Sequence, residues 1–125
     1  MDDAYAAAMA AGTHTFIMSL PGGHSTILGN NGSGLSMGQA QRVAIARALV
    51  RKPQVLVMDE CTSTLDAESV EIIEEAVKRL KGGITVIVIT HSIELAKIAQ
   101  RIMRIKEGRA VEERARGFGA SSLTR

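Results

Sequence analysis

The run Val55-Leu56-Val57-Met58, halted by Asp59-Glu60, constrains the fold of this 125-residue chain more than any other segment. Four consecutive apolar residues without alternation have the pattern of a strand buried on both faces, as in a parallel sheet with helices on either side. Ile84 to Ile89 repeats the pattern and ends on Thr90-His91. Between the two runs, Asp66 is placed to cap a helix of about 14 residues that ends at Gly82-Gly83 and carries Val70, Ile73, Val77 and Leu80 on one side. Strand, helix, strand is the unit of a doubly wound α/β fold. Such sheets bind ligands beyond the carboxyl ends of their strands, where Asp59, Glu60 and His91 stand. Aromatic residues make up 2% of a chain that is 46% hydrophobic, so the core is built from Val, Ile, Leu, Ala and Met. That suits a helix-covered parallel sheet better than a β-sandwich.

The flanking segments read as follows. Ala4 to Ala11 is an alanine-rich helix stopped at Gly12, and Thr13 to Leu20 a short helix ended by Pro21-Gly22-Gly23. His24 to Gly34 is loop-like, with strong turn chemistry in Gly29-Asn30-Asn31-Gly32-Ser33-Gly34. Ser36 is an N-cap, and Gln39 three residues later completes a capping box. The helix that follows has an apolar stripe of Val43, Ile45, Ala46, Leu49 and Val50 and ends at Lys52-Pro53. Ile93 to Gln100 is a further helix. Arg101 to Ile105 and Arg109 to Glu113 form a hairpin about Glu107-Gly108, and Gly117 to Arg125 is a frayed tail.

Charge narrows the partners. Net charge is +2, yet every Lys and Arg lies at Arg42 or later, and the first 41 residues carry only Asp2 and Asp3. There is no dense basic block and almost no aromatic residue to stack on a base, so a nucleic-acid surface is not expected. The single cysteine, Cys61, excludes an intrachain disulfide and reads as a small packing residue. No run of about 20 apolar residues exists for a membrane span, and the acidic start does not suit a secretory signal.

Four groups carry candidate chemistry. The adjacent carboxylates of Asp59 and Glu60 repel each other at the end of an apolar strand, and a phosphate-bound cation would relieve this. An aspartate so placed can hold magnesium, and the next carboxylate can orient and polarise an attacking water. A solvated strand terminus is the plainer alternative. Leu35-Ser36-Met37-Gly38-Gln39 joins a serine cap and a glycine at a helix N-terminus, an anion-binding arrangement; ordinary capping would use the same residues. Ser63-Thr64-Leu65-Asp66 opens the next helix, where Asp66 has a capping role open to it. His91 is either structural or a hydrogen-bond partner for a phosphate oxygen.

In order and spacing these groups resemble the nucleotide-binding domain of ABC transporters. LSMGQ resembles the signature LSGGQ, VLVMDE the Walker B strand with its catalytic glutamate, STLD the D-loop, and Thr90-His91 the switch-histidine loop. The resemblance runs from about Tyr5 to Glu113. FIMSLPGG, followed by the ILGNNGSG loop, is similar to multidrug, lipid and peptide exporters. The resemblance implies an α/β, partial P-loop NTPase fold: residues 1–50 form part of the helical subdomain with the signature helix, and residues 53–116 the Walker B, D-loop and H-loop half of the parallel sheet core. It implies ATP and Mg2+ as cofactors. Asp59 would position magnesium, Glu60 act on the attacking water and His91 contact the γ-phosphate. Ser36, Gly38 and Gln39 would face ATP bound on a second nucleotide-binding domain, in a head-to-tail dimer with Ser63 and Asp66 at its seam. Transmembrane domains of the parent transporter would be the other partners, placing this chain on the cytoplasmic side of a membrane.

The sequence departs from the family pattern in three ways. No G-x-x-x-x-G-K-[ST] loop occurs, although that loop supplies most of the phosphate grip. Met37 replaces the first glycine of the signature, and Asn30 stands where exporters commonly have glutamate. The first departure leads us to expect a C-terminal piece of a cassette that is inactive for hydrolysis alone. Two other readings compete with the exporter: a non-catalytic module that pairs with an intact cassette, and a non-transport ABC ATPase acting on nucleic acid.

Overall fold

The computed structural model describes residues 2–30 and 34–113. In chain order these form α1 (Asp2–Ala10), α2 (His14–Ser19), a 3-10 turn (Gly23–Ser25), α3 (Met37–Leu49), β1 (Val55–Asp59), α4 (Ala67–Leu80), β2 (Thr85–Ile89), α5 (Ile93–Ile98), β3 (Ile102–Lys106) and β4 (Arg109–Glu113). The 3-10 turn falls where a loop is expected. The tail from Gly117 lies outside the described residues.

The two apolar runs pair in parallel, Val55 with Thr85 through Asp59 with Ile89, and α4 makes the crossover between them. Side chains alternate across a strand, so Leu56, Met58, Val86 and Val88 share one face. That face packs on Ile45 and Ala46 of α3, Ile73 and Val77 of α4, and Leu95 of α5. The opposite face presents Val57 and Ile87, 58% and 47% exposed, with Val55 and Ile89 as open. Burial of the strands on both faces, expected from their uninterrupted apolar character, is thus not realised. All three helices lie on one side, and among the described residues nothing covers the other.

Helix α3 owes its start to chemistry legible in the sequence. Ser36 Oγ accepts the Gln39 N–H at 3.2 Å, while Gln39 Oε1 accepts the Ser36 N–H at 3.0 Å, satisfying two orphan donors reciprocally. Its inward face differs from the expected stripe: Gly38, Arg42, Ile45 and Ala46 are buried, whereas Val50 is exposed. The Arg42 guanidinium donates to Gly38 O and Gly12 O at 3.2 Å each and lies 5.4 Å from the Phe16 ring centre. Arg79 of α4 donates to Ala10 O. Two cations therefore meet the carbonyl end of α1, where a helix dipole favours positive charge, and join α1 to α3 and α4.

Asp66 and Ser92 cap α4 and α5 by accepting the N–H of Ser69 and Leu95. Helix α5 stops at Ile98, two residues before the expected end, as Ala99 turns to extended backbone. The β3–β4 hairpin turns on Glu107 and Gly108 at φ of 51° and 75°, the left-handed pair of a type I′ turn. Arg101 pairs with Glu112, and Arg104 with Glu113, across it.

Candidate functional site

At the carboxyl end of β1 the Glu60 N–H donates to Ile89 O at 2.8 Å, continuing the β1–β2 ladder one residue past the strand. Glu60 itself has φ 47°, a left-handed conformation that costs a non-glycine residue roughly 1–2 kcal/mol. Backbone strain of this kind gathers at functional positions. The turn brings Glu60 Oε1 to 3.6 Å from His91 Nε2, at the end of β2. The two line a cleft of about 350 Å³ with Thr62, Ser63, Val70, Thr90, Ser92 and Glu94. Ser63 Oγ donates to Glu60 O at 3.1 Å. Ser92 N–H donates to Thr90 Oγ1 at 2.9 Å, which fixes the loop that carries His91. The Glu60–His91 contact is long and the imidazole is 93% exposed, so the pair itself contributes little to stability and both groups can still engage a third partner.

Asp59 occupies the open face of β1 opposite Ile89 and is solvent-exposed. Mg2+ is commonly held by one or two carboxylates, with waters and phosphate oxygens completing its shell. Among the described residues no three His, Cys, Asp or Glu side chains converge, yet Asp59 meets that sparse requirement. The exposed His91 imidazole is open to a phosphate oxygen, whereas the Ser63 hydroxyl proton is committed to Glu60 O. The sequence contains no G-x-x-x-x-G-K-[ST] loop, the motif that supplies a phosphate cradle of backbone amides.

The signature residues lie apart from this cleft. Gly38 is buried where α3 crosses α4: a Cβ on it would meet Ser69 Oγ at 2.2 Å and Ser69 Cβ at 2.6 Å. Close helix approach is therefore enough to require this glycine. The Gln39 amide oxygen is committed to the capping box, whereas Ser36 Oγ accepts there and keeps its own proton for an outward partner. Met37 is 63% exposed, and its sulfur accepts the Thr64 hydroxyl at 2.9 Å. This ties the signature to the loop holding Ser63 and Asp66. Hydrogen bonds from the Ser69 side chain and backbone, aided by the Arg42 charge, hold the Asp66 carboxyl below its ordinary pKa.

The structure thus gathers Glu60, Ser63 and His91 at one cleft, with Asp59 adjacent in sequence. It places Ser36, Gly38 and Gln39 at a second locus, joined to the first through Thr64, Asp66 and Ser69. Sequence reasoning overlooked Arg42, whose burial at 8% exposure depends on carbonyls supplied by a different helix. Cys61 is buried in the core. Desolvation, and then the Glu60 charge, push its thiol pKa up, which makes it unreactive.

Residues 6–63 match the family model described as ABC transporter. The chain is 49% identical over 111 residues to the mitochondrial potassium channel ATP-binding subunit of Pongo abelii. It is 48% identical over 109 residues to multidrug resistance protein 1 of Entamoeba histolytica, and 47% over 112 to the cyclolysin secretion/processing ATP-binding protein CyaB of Bordetella pertussis. These alignments cover 89%, 87% and 90% of the chain but 16%, 8% and 16% of the relatives. The α/β arrangement with its small parallel sheet is that of a partial P-loop NTPase domain. The chain belongs to the ABC transporter ATP-binding family, spanning about a sixth or less of the length of these relatives.

Proposed function

We propose that this chain supplies the water-activating and signature residues of an ABC ATPase whose ATP hydrolysis is coupled to export. The observation that carries the reading is Glu60, strained at φ 47° and set 3.6 Å from His91 across the ends of adjacent parallel strands. In this account Glu60 orients and polarises the attacking water, and His91 hydrogen-bonds the terminal phosphate. Asp59 holds Mg2+ through water, an ion that when bound neutralises charge on the phosphates. Ser36, Gly38 and Gln39 present a helix N-terminus to ATP held by a second cassette, and Ser63 and Asp66 lie at the seam. The separation of the signature from the Glu60–His91 cleft supports this use in trans. Export and a location at the cytoplasmic side of a membrane follow from the transporter family. No described helix is long and apolar enough to cross a bilayer, so transmembrane partners would be separate segments.

The test is a chimaera in which this chain replaces the matching 112 residues of the secretion ATPase that it resembles. Glu60→Gln is expected to retain ATP binding and lower turnover by about 10²–10⁴-fold, the range of general-base catalysis. Unchanged turnover removes Glu60 from the reaction. A second reading, a module that only completes an intact cassette's site, is favoured by the lack of a phosphate-gripping loop in these 125 residues. Its mark is a chain that binds no ATP alone yet alters the ATPase rate of an intact cassette.

A further inference from the structure

Met37 has no part in the proposed chemistry, yet it makes the contact that joins the signature to the loop after β1. It is the first residue of α3, and its sulfur accepts the Thr64 hydroxyl at 2.9 Å across 27 residues of sequence. We propose that Met37 and Thr64 are positioning residues, a thioether–hydroxyl clasp that holds the loop between β1 and α4 and, through it, the Glu60 carboxylate. The inference rests on the reading of Glu60 as the group that acts on the attacking water.

The construction of the loop carries the argument. Glu60 leaves β1 at φ 47°, a conformation that persists only where its surroundings hold it. Its carbonyl accepts the Ser63 N–H at 3.4 Å and the Ser63 hydroxyl at 3.1 Å, and Thr62 O accepts the Leu65 N–H at 3.2 Å. The two turns overlap, so a shift at Thr64 passes through Ser63 to Glu60. Cys61 and Thr62 are buried, whereas Ser63 and Thr64 face solvent. The core thus fixes the inner limb of the loop. Among the described residues, the Thr64 hydroxyl makes the hydrogen bond that ties the outer limb to another element.

The other end of the clasp is fixed as well. One residue on, Gly38 lies so close to α4 that an added Cβ would fall 2.6 Å from Ser69 Cβ. That crossing sets α3 against the start of α4, so the Met37 sulfur stands at a set distance from the loop. The family signature has glycine in place of Met37, which offers no acceptor, so the clasp belongs to the side chain carried here. A thioether is a weak acceptor and both residues are exposed, so the contact adds little to global stability. Its effect is on placement. Misplacing a reacting group by about 1 Å can cost on the order of a hundredfold in rate.

The test measures kcat, KM for ATP and the urea midpoint in the chimaera with the secretion ATPase. Thr64→Val keeps the shape and removes the donor; Met37→Leu keeps the bulk and removes the acceptor. Each is expected to lower kcat by about tenfold, with KM and the urea midpoint unchanged. The two together should lower it no further than either alone, and Thr64→Ser, which keeps the hydroxyl, should stay near the unsubstituted rate. Unchanged kcat in Thr64→Val, multiplying losses in the pair, a Thr64→Ser as slow as Thr64→Val, or a loss that only follows a lower urea midpoint would each overturn the clasp. Glu60→Gln run alongside separates the two claims. Unchanged turnover there removes the reading on which the clasp rests, whereas a slowed Glu60→Gln beside an unaffected Thr64→Val overturns the clasp alone. Amide exchange in the 125-residue chain needs no chimaera. Met37→Leu should speed exchange at Ser63 and Leu65 by about threefold or more and leave Ile73 in α4 unchanged; equal rates at Ser63 and Leu65 overturn the clasp as well.

Discussion

Gly38→Ala tests whether the signature glycine is set by helix packing or by an approaching phosphate. The added Cβ would lie 2.6 Å from Ser69 Cβ and 2.2 Å from its Oγ. Carbon–carbon contact is comfortable near 3.5–4.0 Å, so α3 and α4 must separate by about 1 Å. Overpacking of this kind costs about 1–3 kcal/mol, and the better helix propensity of alanine returns roughly 0.5–1 kcal/mol. A net loss of about 1–2 kcal/mol is expected from urea unfolding of the 125-residue chain. Ser69→Gly removes both clashing atoms, so Gly38→Ala made in that background should lose little. The double-mutant cycle should show a coupling of about 1–2 kcal/mol, within the range for residues in contact. Strict additivity, or stabilisation by Gly38→Ala alone, would refute the packing argument and leave phosphate approach as the reason for the glycine.

The remaining expectations concern the neighbouring groups. Glu60→Gly relieves a left-handed residue that Glu60→Ala does not, so the glycine variant should be the more stable of the two by about 1 kcal/mol in urea; a more stable alanine variant contradicts the strain. Arg42→Met leaves Gly12 O without its charged donor, and a loss of about 1.5–3 kcal/mol is expected, whereas a loss below 0.5 would mean the tie is idle, by about the spread of surface substitutions. The Asp66 carboxyl is lowered in the folded state by Ser69 and Arg42. Its contribution is therefore full above the unfolded value near 3.9 and is lost as pH falls through the lower folded value. The stability gap between the unsubstituted chain and Asp66→Asn should be open at pH 7 and close below that window; a gap independent of pH argues against the ionised cap.

Local chemistry was the most legible part of the sequence. The Ser36–Gln39 box, the Asp66 cap and the Glu107-Gly108 turn each depend on side chains within a few residues of the backbone groups they satisfy. The adjacency of Glu60 and His91 followed from two strands ending level in a parallel pair. What escaped prediction depends on distant partners. That a strand face lies open is expected of a chain without the rest of its sheet; which face, that of Val57 and Ile87, depends on the side the helices take, and an apolar run carries no record of that. Arg42 had no role legible in the sequence, because the carbonyl it meets, that of Gly12, is supplied by the end of α1 thirty residues away. The glycine at position 38 read as room for a phosphate, because the crossing with Ser69 spans 31 residues of sequence that periodicity cannot bridge.

In the proposed dimer, Glu60 serves the site on its own cassette while Ser36 serves the site on its partner. Complementation in the chimaera tests it most directly. Dimers of Glu60→Gln alone or of Ser36→Arg alone damage both composite sites. Mixing the two leaves each heterodimer one intact site, made from Glu60 of one subunit and Ser36 of the other. Random association in a twofold dimer should restore about a quarter of the unsubstituted ATPase rate. A rate no higher than the mean of the two single variants would contradict action across the dimer.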